Sequence, residues 1–180
     1  MLIISELIKL TKLVDVLQKY LVEKRKNQIG EQFSLIHQTC SKYQSFKELQ
    51  AYCDTTAQTN PGLIFKADDF TTLDKDILIF ILENKKLKLY EIQKWDYIIK
   101  WGIAQTPSLP SNSSFTTYDN ISLWTKANFR DLSNTLTQII PLINLKKITS
   151  KDFCNKVKPF KKLLGKNYYD ELLVYHLSGE

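Results

Sequence analysis

The chain has 180 residues, 43% of them hydrophobic and 24% charged, and a formal net charge of +6. These proportions fit a folded globular chain and exclude a disordered or fibrous one, and the length suits one domain, or one domain plus a fragment of another. Five Gly and five Pro are too few turn residues for a β-sandwich or barrel. No apolar run nears the roughly 20 residues that span a bilayer, and the apolar start is too short for a secretory signal, so the expected compartment is the cytosol or nucleus.

Apolar residues recur at helical spacing nearly everywhere. Ile3, Leu7, Leu10, Val14, Leu17 and Leu21 step by three and four into one stripe, with Lys9, Lys12, Asp15, Lys19 and Glu23 off it. Thr11 offers an N-cap inside the stripe and predicts a break there. Gly30 gives a stop signal. The next helix carries Phe33, Ile36, Cys40 and Tyr43. Ser45 and Glu48 have capping-box spacing and open a helix that turns Phe46, Leu49 and Cys53 inward. Asn60-Pro61-Gly62 is a turn, followed by a short element over 63–70. Asp74 and Asp76 favour the first turn of a helix bearing Leu73, Ile77, Phe80 and Ile81, closed by Asn84-Lys85-Lys86.

Tyr90 to Ile103 is the most aromatic helix, with Ile92, Trp95, Ile99 and Ile103 spaced for one buried face. Residues 106–122, rich in Ser, Thr, Asn and Pro, read as a long flexible loop. Its glycosylation-type patterns at Asn112 and Asn120 read as chance matches without a signal peptide. Phe129, Leu132, Leu136, Ile139 and Ile143 resume helical spacing, and Pro141 kinks or ends that helix. Thr149 and Ser150 cap a helix carrying Phe153 and Val157 that Pro159 cuts, and Asn167 caps the last one, with Tyr168, Leu172 and Tyr175. No segment alternates with period two. The expected fold class is all-α, a multi-helix domain of successive helical hairpins.

The residues offer little catalytic chemistry. Cys40, Cys53 and Cys154 are an odd number without metal-ligand spacing. His37 shares a helix with Cys40 but has no orienting partner in the sequence. Asp68-Asp69 and Asp74 with Asp76 read as turn and helix-start acids. The three Trp, nine Tyr and nine Phe fall mostly on apolar faces, which makes them core rather than a base-stacking surface. The charge is local. Residues 146–166 hold Lys146, Lys147, Lys151, Lys156, Lys158, Lys161, Lys162 and Lys166 against Asp152, which is +7 and leaves −1 for the remaining residues. With 23 Lys and two Arg, the chain lacks the guanidinium forks that specific phosphate or base recognition prefers. A lysine patch can still attract a polyanion.

The stretch Leu73–Gly102 resembles the core of the BACK domain of BTB–Kelch and BTB–TLDc proteins. The family pattern is a leucine-rich helix, here with Leu82, a short polar turn, then a helix with Glu91, Trp95 four residues on, and Trp101 near its end. Residues 136–145, with Pro141 in Ile-Pro-Leu-Ile, resemble the family's next helix, although Asn144 stands where the family usually has an Arg. Residues 151–160 and 169–177 resemble its tail. Residues 5–26 resemble the last helices of a BTB domain and the joining 3-box. The resemblance implies residues 1–30 as the BTB and 3-box remnant and 31–177 as the BACK-like domain.

What the resemblance implies is a non-catalytic scaffold of a cullin-3 ubiquitin-ligase adaptor, without metal or cofactor. The cullin groove would lie between the Thr11–Lys26 and Glu31–Lys42 helices, lined by Val16, Tyr20, Phe33 and Ile36. The alternative is non-specific nucleic-acid binding through the lysines of 146–166. Because the BTB strands and any Kelch or TLDc domain are absent from the sequence, the chain looks like the middle piece of a larger adaptor. Alone it is expected to bind cullin weakly and to self-associate through a partly exposed stripe from Ile3 to Leu21.

Overall fold

The computed structural model describes residues 1–7, 11–109 and 118–178. Among these the fold is all-α, with no strand. The chain forms two compact units, Met1–Lys88 and Leu89–Glu180.

The first unit contains α1 (Leu2–Leu7), α2 (Thr11–Lys24), α3 (Lys26–Glu31), α4 (Phe33–Lys42) and α5 (Lys47–Thr59). Two 3-10 turns, Pro61–Lys66 and Phe70–Thr72, lead to α6 (Lys75–Glu83). Thr11 is the first residue of α2, in line with the predicted break; Leu10 lies outside the described residues. Gly30 does not stop a helix. It sits inside α3, whose C-cap is Gln32 at φ −119°, a conformation that needs no glycine. The core gathers Val14, Ile29, Cys40, Phe46 and Leu49, with Leu21, Ile36 and Tyr52 packed against it.

The helix ends of this unit are satisfied from a distance. An α-helix leaves its first amides and last carbonyls without intrahelical partners. No side chain at the N-cap of α4 or α5 fills that role. Asp69 caps α4 instead, accepting from the amides of Ser34 at 3.2 Å and Leu35 at 2.8 Å. Gln18 on α2 caps α5: its Oε1 accepts from Glu48 N and Leu49 N, and its Nε2 donates to Ser45 O at 3.0 Å. The N-cap expected at Ser45 lies one residue later, at Phe46, and a remote side-chain amide serves the first amides of the helix. At the other end of α5, Asn84 Nδ2 donates to Ala57 O and Gln58 O.

The second unit opens with α7 (Glu91–Ala104), followed by a 3-10 turn at Tyr118–Leu123 and α8 (Lys126–Leu136). Short 3-10 turns at Ile140–Leu142 and Leu145–Lys147 lead to α9 (Ser150–Asp152), a π-turn at Phe153–Val157 and a 3-10 stretch at Lys158–Leu163. The chain then forms α10 (Lys166–Ser178). Local capping prevails here. Thr125 accepts from Asn128 N to start α8, and Thr149 accepts from Asp152 N to start α9.

Three expectations change in this unit. Asn167 lies within α10, not at its cap, because the helix begins at Lys166 and Tyr169 N already donates to Gly165 O. The helix read through Ile143 ends at Leu136, and buried Ile139 and Ile143 reach the core from turns around Pro141. The loop expected over 106–122 is ordered at both ends. Leu109 is buried and its amide donates to Thr106 O, while Tyr118–Leu123 is helical and buries Ile121. Residues 110–117, including Asn112, lie outside the described residues.

Gly102 has a packing reason. A Cβ there would sit 2.8 Å from Leu136 Cδ2 and 3.0 Å from Leu132 Cδ1, so its absence lets α8 approach α7 closely.

Gln18 is 1% exposed, so its three bonds carry the whole cost of burying an amide. Replacing Gln18 with Ala should lower stability by about 2–3 kcal/mol. A urea titration followed by circular dichroism checks this, and a loss near zero would contradict the capping role.

Candidate interaction surface

Two family-signature residues of the second unit, Glu91 and Trp95, lie one turn apart on α7. Trp95 is fully buried, and its indole N–H donates to Lys156 O at 3.2 Å. Lys156 Nζ pairs with the next residue, Asp96, at 2.5 Å. The π-turn and Pro159 interrupt regular helical bonding near this carbonyl, which suits it to a side-chain donor. Phe160 meets Trp95 edge to face at 6.2 Å and Trp124 at 5.9 Å.

One turn earlier, Glu91 accepts from Asn144 N at 2.9 Å and from Lys94 Nζ at 2.8 Å. Both side chains of that ion pair are mostly shielded from water. Asn144 thus contributes its backbone amide, and the cation beside Glu91 comes from Lys94 on the same helix. Trp101 and Leu82 are buried, and Pro141 is exposed at the start of a 3-10 turn. All three tryptophans are buried, as expected of core rather than of a stacking platform.

The first unit carries an apolar groove of about 250 Å³ between α1, α2, α4 and α5, bordered by Leu2, Ile3, Leu21, Leu35, Ile36 and Leu49. The four residues read as a groove lining do not converge on it. Ile36 borders it. Phe33 is 1% exposed and lines a different cavity. Val16 and Tyr20, 62% and 47% exposed, lie with Leu13 along an outward stripe of α2; Arg25 stacks over the Tyr20 ring at 5.9 Å. Sequence reasoning missed Leu35, a leucine 56% exposed at the groove edge. Its position off the Phe33–Ile36–Cys40 stripe was the available signal.

The lysine patch is partly spent inside the fold. Lys146 pairs with Glu171 at 2.5 Å and lies over the Tyr175 ring. Lys156 holds Asp96, and Lys162 Nζ sits 4.4 Å from the centre of Phe129. Lys147, Lys151, Lys158 and Lys161 are exposed and form no ion pair among the described residues.

No nucleophile–base pair assembles at Cys40. His37 stacks on Phe33, and its buried Nδ1 has no partner. The Cys53 thiol donates to Cys40 and is buried, both of which push its pKa well up and keep it protonated. His176 is held by Leu145 O at 3.0 Å and stacks on Phe153 at 4.2 Å. Among the described residues no His, Cys, Asp or Glu group could hold a metal ion, and no described helix is long and apolar enough to cross a membrane.

The α7 face makes a paired prediction. Trp95→Phe keeps the ring but leaves the Lys156 carbonyl without its donor, and should cost about 1–2 kcal/mol. Glu91→Ala strands both Lys94 and the Asn144 amide and should cost about 2 kcal/mol. Denaturant midpoints measure both, and unchanged midpoints would remove α7 as the organiser of this unit.

No curated protein and no solved structure matches the chain. The family model BACK, described as BTB And C-terminal Kelch, matches residues 34–114, from the first turn of α4 to beyond α7. Over that stretch the chain is similar to a BACK domain.

Proposed function

We propose that the chain is a non-catalytic scaffold of a cullin-3 ubiquitin-ligase adaptor of the BTB–Kelch kind. BACK is a family of protein–protein interaction domains in such adaptors. The observation that carries the reading further is the groove bordered by Ile36, Leu35 and Leu21, an apolar surface in the first unit. An apolar segment of the cullin would lie in it, anchored on Leu35 and Ile36. A polyanion-binding role draws less support, because Lys146, Lys156 and Lys162 are held by groups of the fold itself.

The test is capture of cullin-3 by the chain joined behind a complete BTB domain. Ile36→Glu and Leu35→Glu should each reduce capture about tenfold or more, while circular dichroism stays unchanged. Equal capture by both variants would end the groove assignment, and no capture by the joined chain would end the adaptor reading.

The stripe expected to be exposed from Ile3 to Leu21 turns inward, with Val14 1% exposed and Leu21 packed on the core, so the self-association face proposed is the outward α2 stripe of Leu13, Val16 and Tyr20. Contiguous exposed apolar surface of this kind marks an interface. Light scattering behind size exclusion should give a mass above one chain for the 180 residues alone, returning to a single chain in the Val16→Glu/Tyr20→Glu variant. A strictly monomeric parent chain would refute the assignment.

A further inference from the structure

Gly30 is the unexplained residue of the first unit. It lies inside a helix, where glycine is less favourable than alanine by about 1 kcal/mol. A Cβ at Gly30 would meet nothing within 4 Å, unlike one at Gly102. No neighbour in the fold therefore requires the missing side chain. Its consequence is instead an open wall on a cavity of about 400 Å³, in the size range of ligand sites.

The floor of that cavity is Phe33 and Ile64, both buried in the core, and Tyr52 and Leu63 extend the apolar surface outward. Lys26 and Lys66 also line it, one from the start of α3 and one from the end of the Pro61–Lys66 turn. Both are exposed and neither forms an ion pair among the described residues. Lys26 continues the basic run Lys24-Arg25, while Glu31 is the one acid among the lining residues. Apolar surface with unmatched cations on two separate elements calls for a ligand that is both apolar and multiply anionic.

We propose that this cavity is a docking site for an acidic peptide segment of a partner protein, which inserts one large apolar side chain past Gly30 and sets flanking carboxylates against Lys26 and Lys66. A chain with several carboxylates can engage both lysines while its apolar side chain stays on the floor, which a small mono-anion cannot do. The site goes beyond the scaffold reading and does not use the groove at Ile36.

The probe is a fluorescein-labelled decapeptide with one tryptophan flanked by aspartates. Its controls are the same peptide with lysines in place of the aspartates, and 1-naphthoate as a small mono-anion. Fluorescence anisotropy should show saturable binding of the acidic peptide, weakening as salt is added. Gly30→Phe, which fills the cavity, should weaken it about tenfold, and so should Lys26→Glu/Lys66→Glu. Gly30→Ala should keep both helix content and binding, and Ile36→Glu should leave binding unchanged, which separates this site from the groove. If Gly30→Phe fails to fold, the exposed lysine pair decides alone. No binding of the acidic peptide, equal binding of the lysine peptide, binding of naphthoate only, or full binding by the lysine-reversed variant would each overturn the proposal.

Discussion

The first unit depends on one constraint, that the ends of short helices must find partners for their backbone groups. Helices of six to fourteen residues are marginal alone, and α4 and α5 have no side-chain cap at their own N-cap positions. Gln18 supplies the start of α5, Asp69 the start of α4, and Asn84 the end of α5. Each bond ties a helix terminus to a residue about thirty positions away. The same polar groups therefore satisfy the backbone and set where one helix meets another, so the groove at Ile36 has walls fixed by hydrogen bonds as well as by packing.

The second unit uses the same logic with one helix as the organiser. Glu91, Trp95 and Asp96 hold Asn144 and Lys156, two points of an irregular segment that lacks long helices. A run of 3-10 and π-turns has weaker internal bonding than an α-helix, and α7 compensates by binding it at a backbone amide, a backbone carbonyl and an ammonium. At Asn144 only the backbone amide is used. The carboxylate of Glu91 already has its cation in Lys94.

What could be read in the sequence was what acts locally. Thr125, which begins α8, and Thr149 each bond an amide three residues on, a spacing visible in the sequence alone. The periodicity of the Trp95 helix placed Trp95 and Ile99 in the core, although Ile98 and Trp101 are buried beside them and Ile92 and Ile103 are only half-buried, and the order of leucine-rich helix, turn and Trp helix pointed to the family whose model matches residues 34–114. The failures all involve distance. Ser45 has the spacing of a capping box, but Gln18 reaches the same amides from α2, and no window of sequence contains both. Asp69 looked like a turn residue because its targets lie across the fold. Phe33, Ile36, Val16 and Tyr20 share helical spacing, yet which of them points into a groove depends on where a third helix lies.

The π-turn at Phe153–Val157 has a further consequence. A π-turn is an α-helix with one residue too many, so this segment has absorbed an extra residue without breaking. Excising one residue there would restore regular winding, yet it would rotate everything downstream by about 100° relative to α9. Phe160 would leave its place between Trp95 and Trp124. The irregular turn is thus the phase adjustment that brings this ring into register with the two indoles. A shortened, more regular helix would be locally better bonded and globally misaligned.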